Sequence, residues 1–201
     1  ATFMEKKPLK DIQSEPDDRN IPINKVGVKD ISYPVVVLDR NEGVQHTVAR
    51  VNMYVNLPHH FRGTHMSRFV EILNRYRKGI STLKIREILD EMKRQLDAET
   101  AHFEIEFPYF MTKKAPVSGE EAKMEYTCRL TANSDEDHYM LEVRVPVLSL
   151  CPCSREISQY GAHNQRSIMS VKIKARERIW IEDMIAVAES SASSDIYSIL
   201  K

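Results

Sequence analysis

Two thiols and an imidazole stand close together late in the chain, in the segment Cys151-Pro-Cys153 and at His163. Thiolate sulfur and imidazole nitrogen are the ligand types zinc prefers and other first-row divalent metals accept. Pro152 has no N–H to give to a sheet, so it marks where the chain must leave a β ladder. The strongly apolar run from Val143 to Leu150 precedes it and reads as a strand, which puts both thiols at a strand end. There a side chain can reach into a pocket while the strand fixes its position. Cysteine is also among the most buried residue types, and on type and spacing alone core packing is as good a reading as metal binding or catalysis. The residues that follow weigh against packing. Ser154 to Arg166 is almost wholly polar, has Gly161 for a tight bend, and groups His163, Asn164, Gln165 and Arg166, a composition suited to lining a polar site. Arg166 adds a guanidinium able to hold a phosphate in bidentate fashion.

A second candidate is Gly63-Thr-His-Met-Ser-Arg68. It precedes a helical pattern, and the exposed N–H groups and positive dipole end of a helix favour an anion. His65, Ser67 and Arg68 would assist; the alternative is that Thr64 or Ser67 is only a helix cap and His65 a surface residue. Lys113 and Lys114 fall in a stretch with Pro and Gly that reads as a loop, fit either for an anion clamp or for solvated charge. His59 and His60 are adjacent and cannot both face one site in an extended chain. His46, His102 and His138 read as structural, and Cys128, alternating within a strand, as core.

The elements that position these residues follow from periodicity. Tyr33 to Asp39 and Gln45 to Leu57, joined by Asn41-Glu-Gly43, read as a β-hairpin. Ser67 to Tyr76 and Ser81 to Ala98 carry apolar residues at helical spacing, with Ser81 or Thr82 as the expected cap of the second helix. Ala101 to Phe107, Lys123 to Ala132 and His138 to Leu148 alternate as strands. A last strand, Ser167 to Ala175, and a helix, Ile181 to Ala192, follow. The β-β-α-α-β-β order is thus complete before Cys151, and the final elements open what could be a second copy.

Composition narrows the class. A chain of 201 residues with 42% hydrophobic residues can bury a real core. Its 29 basic residues balance 29 acidic ones, which excludes the global basic excess of a nucleic-acid binder and provides little self-repulsion against oligomer formation. No stretch approaches the roughly 18 apolar residues of a membrane helix, and residues 1–20 lack an apolar signal core. Three cysteines are an odd count that argues against a disulfide framework. The expectation is a cytoplasmic protein with free thiols, without membrane or nucleic-acid partners. A bridge between Cys151 and Cys153, two positions apart, would be strained.

The string Ser149-Leu-Cys-Pro-Cys-Ser-Arg-Glu-Ile-Ser-Gln-Tyr-Gly-Ala-His-Asn-Gln-Arg-Ser167 resembles the signature of type IB GTP cyclohydrolases. Leu57-Pro-His-His-Phe-Arg-Gly-Thr-His-Met-Ser-Arg-Phe69, Phe107-Pro-Tyr-Phe-Met-Thr-Lys-Lys-Ala-Pro-Val-Ser-Gly119 and Trp180-Ile-Glu-Asp183 agree with the same family, so the resemblance covers most of the chain from about Ile21 onward. It implies an α+β tunnelling fold (T-fold), built from β-β-α-α-β-β modules whose antiparallel sheets are packed by helices and close into an oligomeric barrel. The organisation it implies is an extended arm over 1–32, a first module over 33–150, and over 151–201 the active-site segment and the start of a second module.

The reaction implied is conversion of GTP and water to 7,8-dihydroneopterin triphosphate and formate, which opens tetrahydrofolate synthesis and, in bacteria, also feeds queuosine-type deazapurines. By residue-for-residue match, Cys151 and His163 are implied as metal ligands and Cys153 as the second active-site thiol. The substrate-binding candidates are His65, Ser67, Arg68, Lys113, Asn164, Gln165 and Arg166. The metal would be Mn, Fe or Zn, and it would supply a hydroxide near neutral pH by lowering the pKa of bound water to about 7. The implied assembly is a homotetramer with active sites at subunit interfaces. The third metal ligand and the guanine anchor, both glutamates, are expected beyond Lys201. The alternatives are another T-fold enzyme acting on a purine or pterin, and a non-catalytic metal-binding structural protein.

Overall fold

A computed structural model describes residues 23–57, 63–82, 84–150, 153, 156, 164–194 and 196–198. Alternation of apolar and polar residues produces strands β1 (Ile23–Asp39), β2 (Gly43–Leu57), β3 (Ala101–Lys114), β4 (Glu121–Asn133), β5 (Tyr139–Leu150) and β6 (Asn164–Ala175). They form one six-stranded sheet in sequence order, each neighbour antiparallel to the next. Helices α1 (Met66–Tyr76) and α2 (Ile85–Leu96) lie between β2 and β3, and α3 (Ile181–Ser191) follows β6. The molecule is α+β, as expected.

The sheet has two unlike faces. Val51, Met53, Phe103, Ile105, Leu130 and Val143 point to one side and are buried, and on that side the helices bury Phe69, Ile72, Ile88, Leu89, Met92, Met184 and Ile185. The alternate positions carry charge. Register sets Arg50 opposite Glu106, Glu106 opposite Arg129, Arg129 opposite Glu142, and Glu142 opposite Lys172, a row of alternating sign across five strands. Within it Arg129 Nη2 lies 2.6 Å from Glu106 Oε2, and beside it Arg144, two residues further along β5, puts its Nε 3.3 Å from Glu142 Oε1. Opposite charges directly across from each other contribute roughly 0.2–1 kcal/mol per pair, so the row also opposes register slips.

Several boundaries differ from the sequence reading. β1 begins at Ile23, so the last part of the expected arm is strand. Its pattern is broken by irregular register between Ile23 and Val26 and between Val28 and Ile31, which hides the alternation. Lys113 and Lys114 are not in a loop: β3 runs on through Pro108 to Lys114. Pro108 is tolerated because the β2–β3 pairing has ended at Arg50↔Glu106, leaving that flank of the strand without a ladder. Neither Ser81 nor Thr82 caps α2; its N-cap is Lys84, with no side-chain bond, and α1 begins likewise at His65.

β5 and β6 pair over their whole length, from Tyr139↔Ala175 to Leu150↔Asn164, whereas β4 and β5 pair only from Ala132↔Tyr139 to Thr127↔Arg144. Past that point β4 and β5 splay apart. The sheet divides there, leaving the β5–β6 hairpin as a separate arm.

Candidate active site

The β5–β6 hairpin is stiff at its root and polar at its far end. Val143, Val145 and Val147 are buried, and full-length pairing with β6 fixes the direction in which the strand delivers Leu150. Leu150 and Asn164 are the last opposed pair. In sequence Cys151 directly follows Leu150 and His163 directly precedes Asn164; both lie outside the described residues. Cys153 is an exposed free thiol. Asn164 and Gln165 open β6, and Gln165 and Arg166 are exposed there. Arg166 is paired with Leu148, and by alternation its side chain belongs to the polar face that carries Lys172.

The α1 candidates are elsewhere. Arg68 donates from Nη1 to the carbonyl of Gln95 at 2.6 Å, bringing a cation to the C-terminal turn of α2, where the helix dipole favours it. Ser67 is exposed and His65 half-buried. This part of the molecule lies at the end of the sheet where β3 starts, since the N–H of Asn56 donates to Thr100 and that of Thr100 to the Asn56 side chain. β5 also starts at that end, opposite Ala132, and runs its full 12 residues away before reaching Leu150. Within one chain, His65, Ser67 and Arg68 sit at the opposite end of the sheet from the hairpin end.

Lys113 is on the apolar face. Its ammonium lies 2.7 Å from Glu189 Oε1 of α3, donates to the carbonyl of Ile196 at 3.2 Å, and stands 4.8 Å from the ring centre of Tyr197. Tyr126 donates to the same Glu189 oxygen at 2.9 Å. Sequence reasoning missed Glu189 altogether. The only trace is its helical phase, four residues after Ile185 on the buried side of α3.

Trp180-Ile-Glu-Asp183 opens α3 and ties it to the β1–β2 turn. Arg40 makes a bidentate pair with Asp183, both bonds 2.6 Å, and lies 5.1 Å from the Trp180 ring centre. Glu182 accepts from the Arg40 N–H and from the Tyr109 hydroxyl, each at 2.7 Å. Burial, reinforced by that bond to Glu182, pushes the Tyr109 hydroxyl far above its ordinary range, so it serves as a permanent donor. Among the described residues no group of three His, Cys, Asp or Glu side chains is placed to hold a metal. The donor set read from the sequence, one thiolate and one imidazole beside an exposed second thiol, is chemically suited to zinc, iron or manganese.

Fold and sequence together define a class: an α+β protein with an antiparallel sheet, helices on its apolar face, and a Cys-Pro-Cys segment that follows β5 in the chain. The chain belongs to the type I GTP cyclohydrolase FolE2 family, whose model matches residues 9–201. It is 59% identical over 194 residues to the GTP cyclohydrolase FolE2 of Geotalea uraniireducens (strain Rf4), covering 96% of this chain and 72% of that protein. To the FolE2 of Citrifermentans bemidjiense it is 58% identical over 200 residues, covering 99% and 75%. To that of Pseudothermotoga lettingae it is 53% identical over 195 residues, covering 96% and 76%.

Proposed function

We infer that this chain is a GTP cyclohydrolase that opens the guanine ring of GTP at C8 with water, releasing formate and giving 7,8-dihydroneopterin triphosphate for folate synthesis. The observation that carries the reading is the family match over residues 9–201, which takes in Cys151 and His163, the sequence neighbours of the last β5–β6 pair Leu150↔Asn164. Cys151 as thiolate and His163 as neutral imidazole would hold a divalent metal, Mn, Fe or Zn. Such an ion, when bound, lowers the pKa of water to about 7 and so supplies hydroxide at neutral pH. Cys153, an exposed thiol two residues after Cys151 in the chain, would meet the reacting purine. Arg166 offers a fork of donors for the triphosphate.

The substrate groups assigned to α1 and to the hairpin end are separated within one chain, which supports a site completed by a second copy. The assembly we propose is a homotetramer, its sheets closing into a barrel, with active sites at the subunit interfaces. Among the described residues no helix is long and apolar enough to cross a membrane. The cytoplasmic location expected from the sequence is kept as part of this proposal.

The test is formate release from GTP, followed by fluorescence of the oxidised neopterin product. Wild-type protein loaded with Mn, Fe or Zn is expected to turn over GTP. Cys151→Ala is expected to lose at least about a hundred-fold in kcat, the scale on which outright loss of a metal ligand exceeds loss of its outer supports. Full activity in Cys151→Ala would sink this assignment.

A further inference from the structure

Ser193, Ser194 and residues 196–198 occupy the place where the sheet divides. On one side Ser194 exchanges backbone hydrogen bonds with Leu148, at 3.1 and 3.3 Å, and the Leu150 N–H donates to Ser193 Oγ at 3.2 Å. On the other side Ser198 Oγ donates to the Lys123 carbonyl of β4 at 3.0 Å. These residues thus span the gap that opens beyond Thr127↔Arg144, and they grip the last three residues of β5 before Cys151. Lys113 of β3 adds a side-chain tie to the body of the sheet. That ammonium, with a side chain only 12% exposed, bonds both Glu189 and the Ile196 carbonyl and lies over the ring of Tyr197.

We propose that Lys113 is a positioning residue of the active site: it clamps Ser193, Ser194 and residues 196–198 into the split between β4 and β5, and these residues fix the end of β5 that directly precedes Cys151, the assigned metal-binding thiol. The proposal rests on the assignment of Cys151 as a ligand and replaces a direct substrate contact for Lys113. The chemistry favours this role. An ammonium buried against a carboxylate, a carbonyl and an aromatic face has its donors and its charge committed inside the protein. The paired Glu189 is in turn fixed by the Tyr126 hydroxyl, so the clamp is anchored to β3, β4 and α3 at once.

The test compares wild type with Lys113→Met, Lys113→Arg and Tyr197→Ala in the intact protein. Two quantities are read without GTP: amide hydrogen exchange over 148–150 and 193–198, and binding of Co2+ followed by its thiolate charge-transfer band. Lys113→Met is expected to raise exchange in both segments and to weaken Co2+ binding about ten-fold, the scale on which outer supports of metal sites act. Lys113→Arg, which keeps the ion pair and the aromatic stack, should restore both, and Tyr197→Ala should fall between. If Lys113→Met does not fold, Tyr197→Ala carries the test with the same two readouts. Faster exchange with unchanged Co2+ binding and band would overturn the proposal, because the segment would then be uncoupled from the thiol. A higher KM for GTP with unchanged exchange and Co2+ binding would overturn it in favour of a substrate contact. Wild-type protein that binds Co2+ yet releases no formate from GTP would instead overturn the cyclohydrolase reading and leave the coupling result standing.

Discussion

Cys128 and Cys153 show how far a residue's setting decides its chemistry. Cys128 is fully buried in the apolar face of β4, and burial, with the Glu182 carboxylate adding to the effect, pushes its thiol well above the ordinary cysteine range. Cys153 is exposed. Since the thiolate is the reactive form, iodoacetamide on the native apo-protein at pH 8 is expected to label Cys153 and leave Cys128 untouched until denaturant is added, read by peptide mass mapping. Labelling of native Cys128 would show that the sheet face opens readily. The core role of Cys128 was legible because alternation places it in phase with Leu130 and Ala132. Lys113 was not legible in the same way. Its partner Glu189 lies 76 positions away, and no local pattern announces an ion pair made by two strands and a helix folding together. Seen locally, Lys113-Lys114 between Pro108 and Gly119 looks like loop charge.

At the scale of elements, periodicity located strands β1 to β6 and helices α1 to α3, and the errors fall where a second influence masks the period. β1 was shortened because its first part carries bulges and charged residues on an edge strand. β3 was shortened because Pro108 reads as a stop unless one knows that its flank has lost its partner strand. The end of α2 shows a local compromise that can be measured. Asp97 closes the helix in the left-handed region, at φ 51° and ψ 48°. Only glycine adopts that conformation without strain, and a carboxylate at a helix C-terminus also opposes the dipole. Asp97 is exposed and makes its capping bond through the backbone, so Asp97→Gly keeps the cap. It is expected to raise stability by about 0.5–1 kcal/mol, and Asp97→Asn by less. Urea midpoints at constant m-value would check this, and a fall for Asp97→Gly would mean that side-chain contacts outweigh the strain.

For the whole molecule, what matters is that the two candidate regions are held apart by the sheet itself. Arg68 is fastened to the end of α2 beside Asn56 and Thr100, while β5 runs to Leu150, the residue before Cys151, at the other end. A chain with a rigid sheet between these regions cannot bring them together by a side-chain adjustment. The sequence supplied both halves as motifs, but their separation depends on strand direction and register, which no motif states. If a site is completed between copies, two inactive variants must rescue each other. His65→Ala and Cys151→Ala, each inactive alone, would be unfolded and refolded together. In a randomly mixed symmetric assembly, a site that takes Cys151 from one copy and His65 from its neighbour is intact with a chance of about one in four. Formate release at roughly a quarter of the wild-type rate is therefore expected from an equal mixture, with none from either variant alone. No recovery on mixing would mean that each site draws both residues from the same chain, and full activity in His65→Ala would remove α1 from the site.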